Sequence, residues 1–233
     1  EILANPKLSE TEIFKKLNYR SLTSILYKKR ALKIVGLEVK RENKKKEERI
    51  GFLDIETTNL NPVYGLMVCY RIKELDGKVL GNDIKVSDLQ SEVYDRRLVS
   101  QLIDHLKLFD RVILHYGVDR KFDLPYIRTK AVHYGLDDFP IHKCMYVADT
   151  HTILKNKFHF ARNTLKAACE YFGIPVKLTP ISMLMVKRLY SCCKKLVEWT
   201  IRKHGVHCTE DVNSLHNLWK KIYPYVPYVN TSI

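Results

Sequence analysis

From Ile50 onward the apolar positions change period several times, and each change marks a predicted element. Ile50-Gly51-Phe52-Leu53-Asp54-Ile55 is a short apolar run interrupted by one acid, which predicts a buried strand. Residues 66–72 and 78–86 predict two further strands around the Asp76-Gly77 turn. Helical spacing follows over 98–109, a fourth strand over 111–116, and a helix over 122–134 despite Pro125. Residues 144–148 predict a short fifth strand, and Asn163 opens a helix that ends at Gly173. Two closing helices are predicted over 181–204 and 209–223. Interleaved strands and helices of this kind read as an α/β domain spanning residues 50–233.

The chain before Ile50 has a different texture. Leu8-Ser9-Glu10-Thr11-Glu12-Ile13 is a helix start, with Ser9 as N-cap, Glu12 closing a capping box and Leu8 stapling against Ile13. Asn18-Tyr19-Arg20 turns the chain into a second helix whose buried side holds Leu22, Ile25 and Leu26. Arg20, Lys28, Lys29 and Arg30 lie outside, so residues 1–36 resemble a helix-turn-helix module whose second helix docks on DNA. Residues 37–49 are then a charged linker containing the run KRENKKKEER.

Charge gives this reading its partner. The chain has 40 Lys/Arg and 26 Asp/Glu, a net charge of +14. Residues 1–50 alone hold 14 basic and 7 acidic residues, half of that surplus. Such an excess suits a polyanion, because each neutralised phosphate releases condensed counterions. Nucleic acid is the expected partner, with DNA favoured, and no membrane contact or small-molecule cofactor is expected. No stretch reaches the length of a membrane span, and residues 1–6 do not read as a secretory signal, so an intracellular location, cytoplasmic or nucleoid-associated, is expected. The six cysteines form no C-x-x-C pair, which gives no zinc-site spacing.

The chemistry centres on Asp54-Ile55-Glu56-Thr57-Thr58. Residues i and i+2 of a strand face the same side, so Asp54 and Glu56 point together from an apolar strand. Two adjacent carboxylates repel and favour protonation unless a cation neutralises them. Magnesium or manganese suits such an oxygen-rich site. A second segment, Tyr116-Gly117-Val118-Asp119-Arg120-Lys121-Phe122-Asp123-Leu124-Pro125, follows a predicted strand. A third, His207-Cys208-Thr209-Glu210-Asp211, opens the last predicted helix.

With these three segments in this order, the chain resembles the DEDD 3′–5′ exonucleases of the ribonuclease H-like superfamily, closest to proofreading-type and stand-alone members. Those carry a D-I-E-T strand, an N-G-x-x-F-D-x-P segment and a final Y-x-x-x-D or H-x-x-x-x-D motif. Here Tyr116 stands where Asn is usual, and His207 precedes Asp211 by four residues, which pairs the residue type of one branch with the spacing of the other. The resemblance implies a ribonuclease H-like mixed sheet flanked by helices. It implies two divalent ions held by Asp54, Glu56, Asp123 and Asp211, with His207 acting on the attacking water. It also implies nucleotide contacts at Thr57 and Leu60, in the segment after the first acids. Tyr116 and Tyr126 are further substrate candidates, Tyr126 and Phe160 as base-stacking rings, and Asp149 is expected to support the site from behind. A structure-specific endonuclease and a DNA-binding protein with an inert nuclease-like domain are the alternatives. No polymerase-sized extension accompanies the motifs, so proofreading in cis is not expected.

Overall fold

The computed structural model describes residues 48–117, 122–136, 145–176 and 183–226. All of them belong to one compact unit that begins at Glu48. The helix-turn-helix-like segment, with Arg20, Lys28, Lys29 and Arg30, lies outside the described residues.

Five strands build one sheet in the order β3-β2-β1-β4-β5. They are β1 (Ile50–Thr57), β2 (Met67–Glu74), β3 (Val79–Asp83), β4 (Arg111–Leu114) and β5 (Tyr146–Asp149). The β1-β2-β3 meander is antiparallel. On the other side of β1, β4 and β5 run parallel to it, which makes the sheet mixed. The helices are α1 (Val86–Leu89), α2 (Arg96–Leu106), α3 (Asp123–His133), α4 (Thr150–Lys157), α5 (Leu165–Tyr171), α6 (Met183–Arg188) and α7 (Lys194–Ile222), followed by a single 3-10 turn. No helix among the described residues is long and apolar enough to cross a membrane.

The period-2 alternation of β1 feeds two cores. Leu53 and Ile55 enter the larger one with Leu98, Leu102 and Leu106 of α2 and Leu124 and Ile127 of α3. Phe52 points the other way, into a second core with Ile113, Leu215, Leu218 and Ile222. Asp54 and Glu56 share the Phe52 side of the pleat, the side that α7 covers. Thr200, His204 and Cys208 are buried along α7, so the middle of the helix lies against the protein.

The final helix departs from expectation. One unbroken helix of 29 residues takes in the second half of the first predicted closing helix, from Lys194, and nearly all of the second, to Ile222. The gap between the two predicted helices begins at Gly205, and glycine is a weak helix former. Here Gly205 serves a close approach instead. A Cβ there would lie 2.5 Å from Nη2 of Arg71, whose guanidinium is held by Asp83 at 2.7 Å. The helix continues through the glycine, with Thr209 Oγ1 donating to the Gly205 carbonyl at 2.7 Å. His207 and Asp211 therefore stand in mid-helix, not in a first turn.

The other differences are local. Helix α4 was not anticipated; Asp149 caps it by accepting from the His151 amide at 2.9 Å. Strand β3 stops at Asp83, and the chain turns into α1. The last two residues of the charged linker are also tied down. Arg49 Nη2 donates to Glu74 Oε1 at 3.0 Å, and Arg111 Nε donates to Glu48 Oε1 at 2.9 Å.

A candidate metal centre of four carboxylates

Three elements converge on one cluster of acids. β1 supplies Asp54 and Glu56, the first turn of α3 supplies Asp123, and α7 supplies His207 and Asp211. Along α7 the residues His207, Asp211, Leu215, Leu218 and Ile222 recur at i+3 and i+4 and so form one stripe. Its apolar end packs with Phe52, and its polar end meets the acids. The helix runs antiparallel to β1, since His207 reaches Glu56, Cys208 reaches Asp54, and His216 stacks on Phe52 with centroids 4.7 Å apart. One helix face and one strand face thus change from apolar to polar at the same level.

The distances are short enough for joint ligation. His207 Nε2 lies 3.5 Å from Glu56 Oε1 and 3.6 Å from Asp211 Oδ2. Glu56, His207 and Asp211 offer ligand atoms that all lie within 4.8 Å of one another. Asp54 Oδ2 is buried with no hydrogen-bond partner among the described residues, and the Asp54 backbone carbonyl accepts from Cys208 Sγ at 3.3 Å. Asp123 is 4% exposed. Gly117 makes room for it, because a Cβ there would sit 2.4 Å from Asp123 Oδ2. The chain closes this corner with the Leu124 amide donating to the Gly117 carbonyl at 2.9 Å.

Burial raises every one of these carboxyl groups, and repulsion from neighbouring acids adds to it. Asp54 is pushed well up, by burial first and then by Glu56, Asp123 and Asp211. Glu56 rises to about 8, through burial and then Asp211 and Asp123. Asp123 also rises to about 8, chiefly by burial, with the Asp123 and Ile55 amides offsetting part and Asp149 adding repulsion. Asp211 is raised by burial, although His207 pulls it down. Leaving carboxylates buried together and a carboxylate oxygen unpartnered is costly unless a cation compensates them. An oxygen-rich set of this kind suits a hard divalent ion.

The expected substrate residues divide. Thr57 Oγ1 donates to the Asn59 carbonyl at 3.0 Å, shaping the β1–β2 loop. Leu60 is 78% exposed on that loop. The loop is held by the Leu66 amide donating to Thr58 Oγ1 and the Asn61 amide donating to Asn59 Oδ1. Tyr116 is half-exposed and has a φ of 63°, a conformation in which Asn is better tolerated than Tyr. Its amide donates to Asp149 Oδ1 at 3.0 Å and its ring meets His151 edge-on. Tyr126 overturns its base-stacking expectation. It is 1% exposed because its ring fills the α3 face of the larger core. Phe160 packs in an aromatic cluster with Tyr171 and Phe172. His204 is buried, with Nδ1 at 2.9 Å from the Thr200 carbonyl, and takes no part in the cluster of acids.

Asp149 joins β5, Tyr116 and α4 and is close enough to Asp123 to repel it. Cys208 and Gly117 went unassigned in the sequence reading. The signal for both was adjacency to a motif residue, which does not specify a role. Asp119 lies outside the described residues.

Comparison with known proteins agrees with this architecture. The model of the RNase H superfamily matches residues 51–223. No curated protein matches the chain. Among solved structures, the family B DNA polymerase from the hyperthermophilic archaeon Pyrobaculum calidifontis is similar, with a TM-score of 0.53 and 20% identity. That likeness covers 76% of this chain and 25% of the polymerase, so the chain spans about a quarter of that protein. Brucella melitensis NrnC, also solved with bound Mg2+, matches at 15% identity with TM-scores of 0.38 and 0.36. These matches cover 82% and 83% of this chain and 92% and 95% of NrnC.

Proposed function

The chain belongs to the RNase H superfamily, and from that premise we propose that it is a metal-dependent 3′–5′ exonuclease that releases nucleoside 5′-monophosphates from DNA, with RNA as the alternative substrate. The observation that carries this reading is the convergence of Asp54, Glu56, Asp123 and Asp211, with His207 between two of them. Asp54, Glu56, Asp123 and Asp211 would hold two ions, magnesium or manganese. When bound, such ions lower the pKa of an attacking water and neutralise charge on the leaving 3′-oxygen.

The remaining work falls to the chain itself. His207 Nε2 faces the gap between Glu56 and Asp211 and takes the proton of the attacking water there. Thr57 and Leu60 border the terminal nucleotide from the β1–β2 loop, and Tyr116 borders it from the turn after β4. The phosphodiester backbone is what the site reads, so base selectivity is weak. The net charge of +14 supports a nucleic-acid partner. Residues 1–36, with Arg20, Lys28, Lys29 and Arg30, would dock on duplex.

The test is a gel assay on 5′-labelled single-stranded DNA, duplex DNA and matching RNA, with magnesium, manganese or chelator, beside Asp54→Ala. A metal-dependent ladder shrinking from the 3′ end, absent in the variant, is expected. Discrete internal cuts would instead make the protein an endonuclease. Binding without cleavage of any substrate would make the domain an inert nucleic-acid binder.

A further inference from the structure

The stretch of chain leading into the acidic site has its own chemistry. Residues 183–204 contain six Lys/Arg and one Glu, a local surplus of +5. Within it Trp199 is 38% exposed, whereas the chain's other tryptophan, Trp219, is 4% exposed. Two cations lie against the Trp199 ring, Arg188 Cζ at 5.5 Å from its centroid and Lys203 Nζ at 5.7 Å. The indole is thus a partly exposed aromatic ring with two positive charges over it.

Its place on the helix gives this platform a direction. Trp199, Lys203 and His207 follow one another at i, i+4 and i+8, so they share one stripe of α7. At 1.5 Å per residue, Trp199 lies about 12 Å along the helix from His207. A stacked strand rises about 3.4 Å per nucleotide, so that distance corresponds to roughly three to four nucleotides. Lys194 and Lys195 also open the first turn of α7, where the positive end of the helix dipole disfavours them, and Lys194 lies 3.9 Å from Glu198.

We propose that the Arg188–Trp199–Lys203 face of α6 and α7 binds single-stranded nucleic acid a few nucleotides away from the linkage held at the acids, one base stacking on Trp199 and the flanking phosphates meeting Arg188 and Lys203. This rests on the exonuclease reading above and extends it to a strand-holding subsite. Aromatic platforms flanked by cations bind single strands with little base preference, because every base has a π-face. The subsite favours substrates long enough to reach it, so the last residues of a strand are released more slowly than the first.

The experiment titrates the full chain, held in chelator to prevent turnover, with deoxythymidine and uridine hexanucleotides. Intrinsic fluorescence and anisotropy are both followed. Stacking on Trp199 is expected to quench emission, and Trp199→Phe is expected to abolish that quenching while Trp219 still emits. Trp199→Ala is expected to weaken hexanucleotide binding about tenfold, the scale of one stacked base, and Trp199→Phe to restore most of it. Arg188→Gln with Lys203→Gln should reduce the salt dependence by about 1.4 in the log–log slope, the release expected for two phosphates on a single strand. The two arms decide between DNA and RNA. Equal affinity in wild type and Trp199→Ala, or quenching that survives in Trp199→Phe, overturns the proposal. Metal-dependent hydrolysis of a dinucleotide, too short to reach Trp199, is scored separately. Hydrolysis with no Trp199 effect overturns the subsite and leaves the exonuclease reading standing. A Trp199 effect without hydrolysis supports the binding surface and removes the exonuclease.

Discussion

The thiol of Cys208 donates to the backbone carbonyl of Asp54 at 3.3 Å, so the helix that carries His207 and Asp211 is pinned to the strand that carries Asp54 and Glu56. Both residues of the pin sit among the acids, and Cys208 is fully buried. The contact sets the level at which the polar end of α7 meets the polar end of β1. Cys208→Ala deletes the donor and leaves a small void. It should lower stability by about 1–2 kcal/mol in chemical denaturation, and it should reduce kcat more than it raises KM. A variant with unchanged stability and rate would show that the pin is idle.

Gly117 and Asp123 make a second prediction. A Cβ at Gly117 would lie 2.4 Å from Asp123 Oδ2 and 2.8 Å from Leu114 Cβ, and both neighbours are buried. The carboxylate must move if Gly117→Ala folds. A shift of about 1 Å in such a group costs roughly a hundredfold in rate. Single-turnover hydrolysis measures this, and an unimpaired Gly117→Ala enzyme would remove Asp123 from the site.

The carboxyl groups predict how stability changes with pH. In the metal-free fold Glu56 and Asp123 titrate at about 8, far above ordinary carboxylates. The folded state therefore holds protons that the unfolded state releases. Their stabilising contribution is complete at pH below the unfolded values, near 4, and is lost as pH rises toward about 8. Thermal midpoints in chelator should fall from pH 5 to pH 8.5. Asp123→Asn should flatten that slope. Magnesium or manganese should raise the midpoint more at pH 8.5 than at pH 5, where the ions must displace protons. A chelated protein that gains stability across this range would contradict the buried-acid arrangement.

His207 lies within 3.6 Å of both Glu56 and Asp211 and so can take a proton from water held between them. His207→Gln keeps a polar side chain of similar length but cannot accept that proton as imidazole does. A loss of about 10²–10⁴ in kcat is expected, with substrate binding little changed. Full activity across pH in the variant would remove the base assignment and leave the carboxylates untouched.

Tyr116 holds its backbone at a φ of 63°. The left-handed region costs an ordinary residue roughly 1–2 kcal/mol, and Asn visits it more readily. Tyr116→Asn should raise stability by about 1 kcal/mol in denaturant titrations. It also deletes the ring that meets His151, so KM for a single strand should rise if that ring borders the substrate. Increased stability with unchanged KM would confine Tyr116 to a structural role.

The sequence by itself determined the parts of this protein that depend on local pattern. The strand carrying Asp54 and Glu56, the Asp123 helix and the α/β layout follow from short-range alternation and spacing, and the structure has the strand and the helix close to their expected limits; the mixed sheet followed only from the family resemblance. Asp54 and Glu56 share a face because the strand period is two, a constraint that needs no tertiary information. Tertiary contact decided the rest. Gly205 reads as a helix end in isolation, but packing against Arg71 and Asp83 makes it a close approach inside one long helix. Tyr126 carries the composition of a stacking residue, yet the core on the α3 side claims its ring. Cys208 and Gly117 gain their roles only from Asp54 and Asp123. Neighbours 154 and six residues away respectively supply the contacts, and no local period records which side chain will stand opposite which.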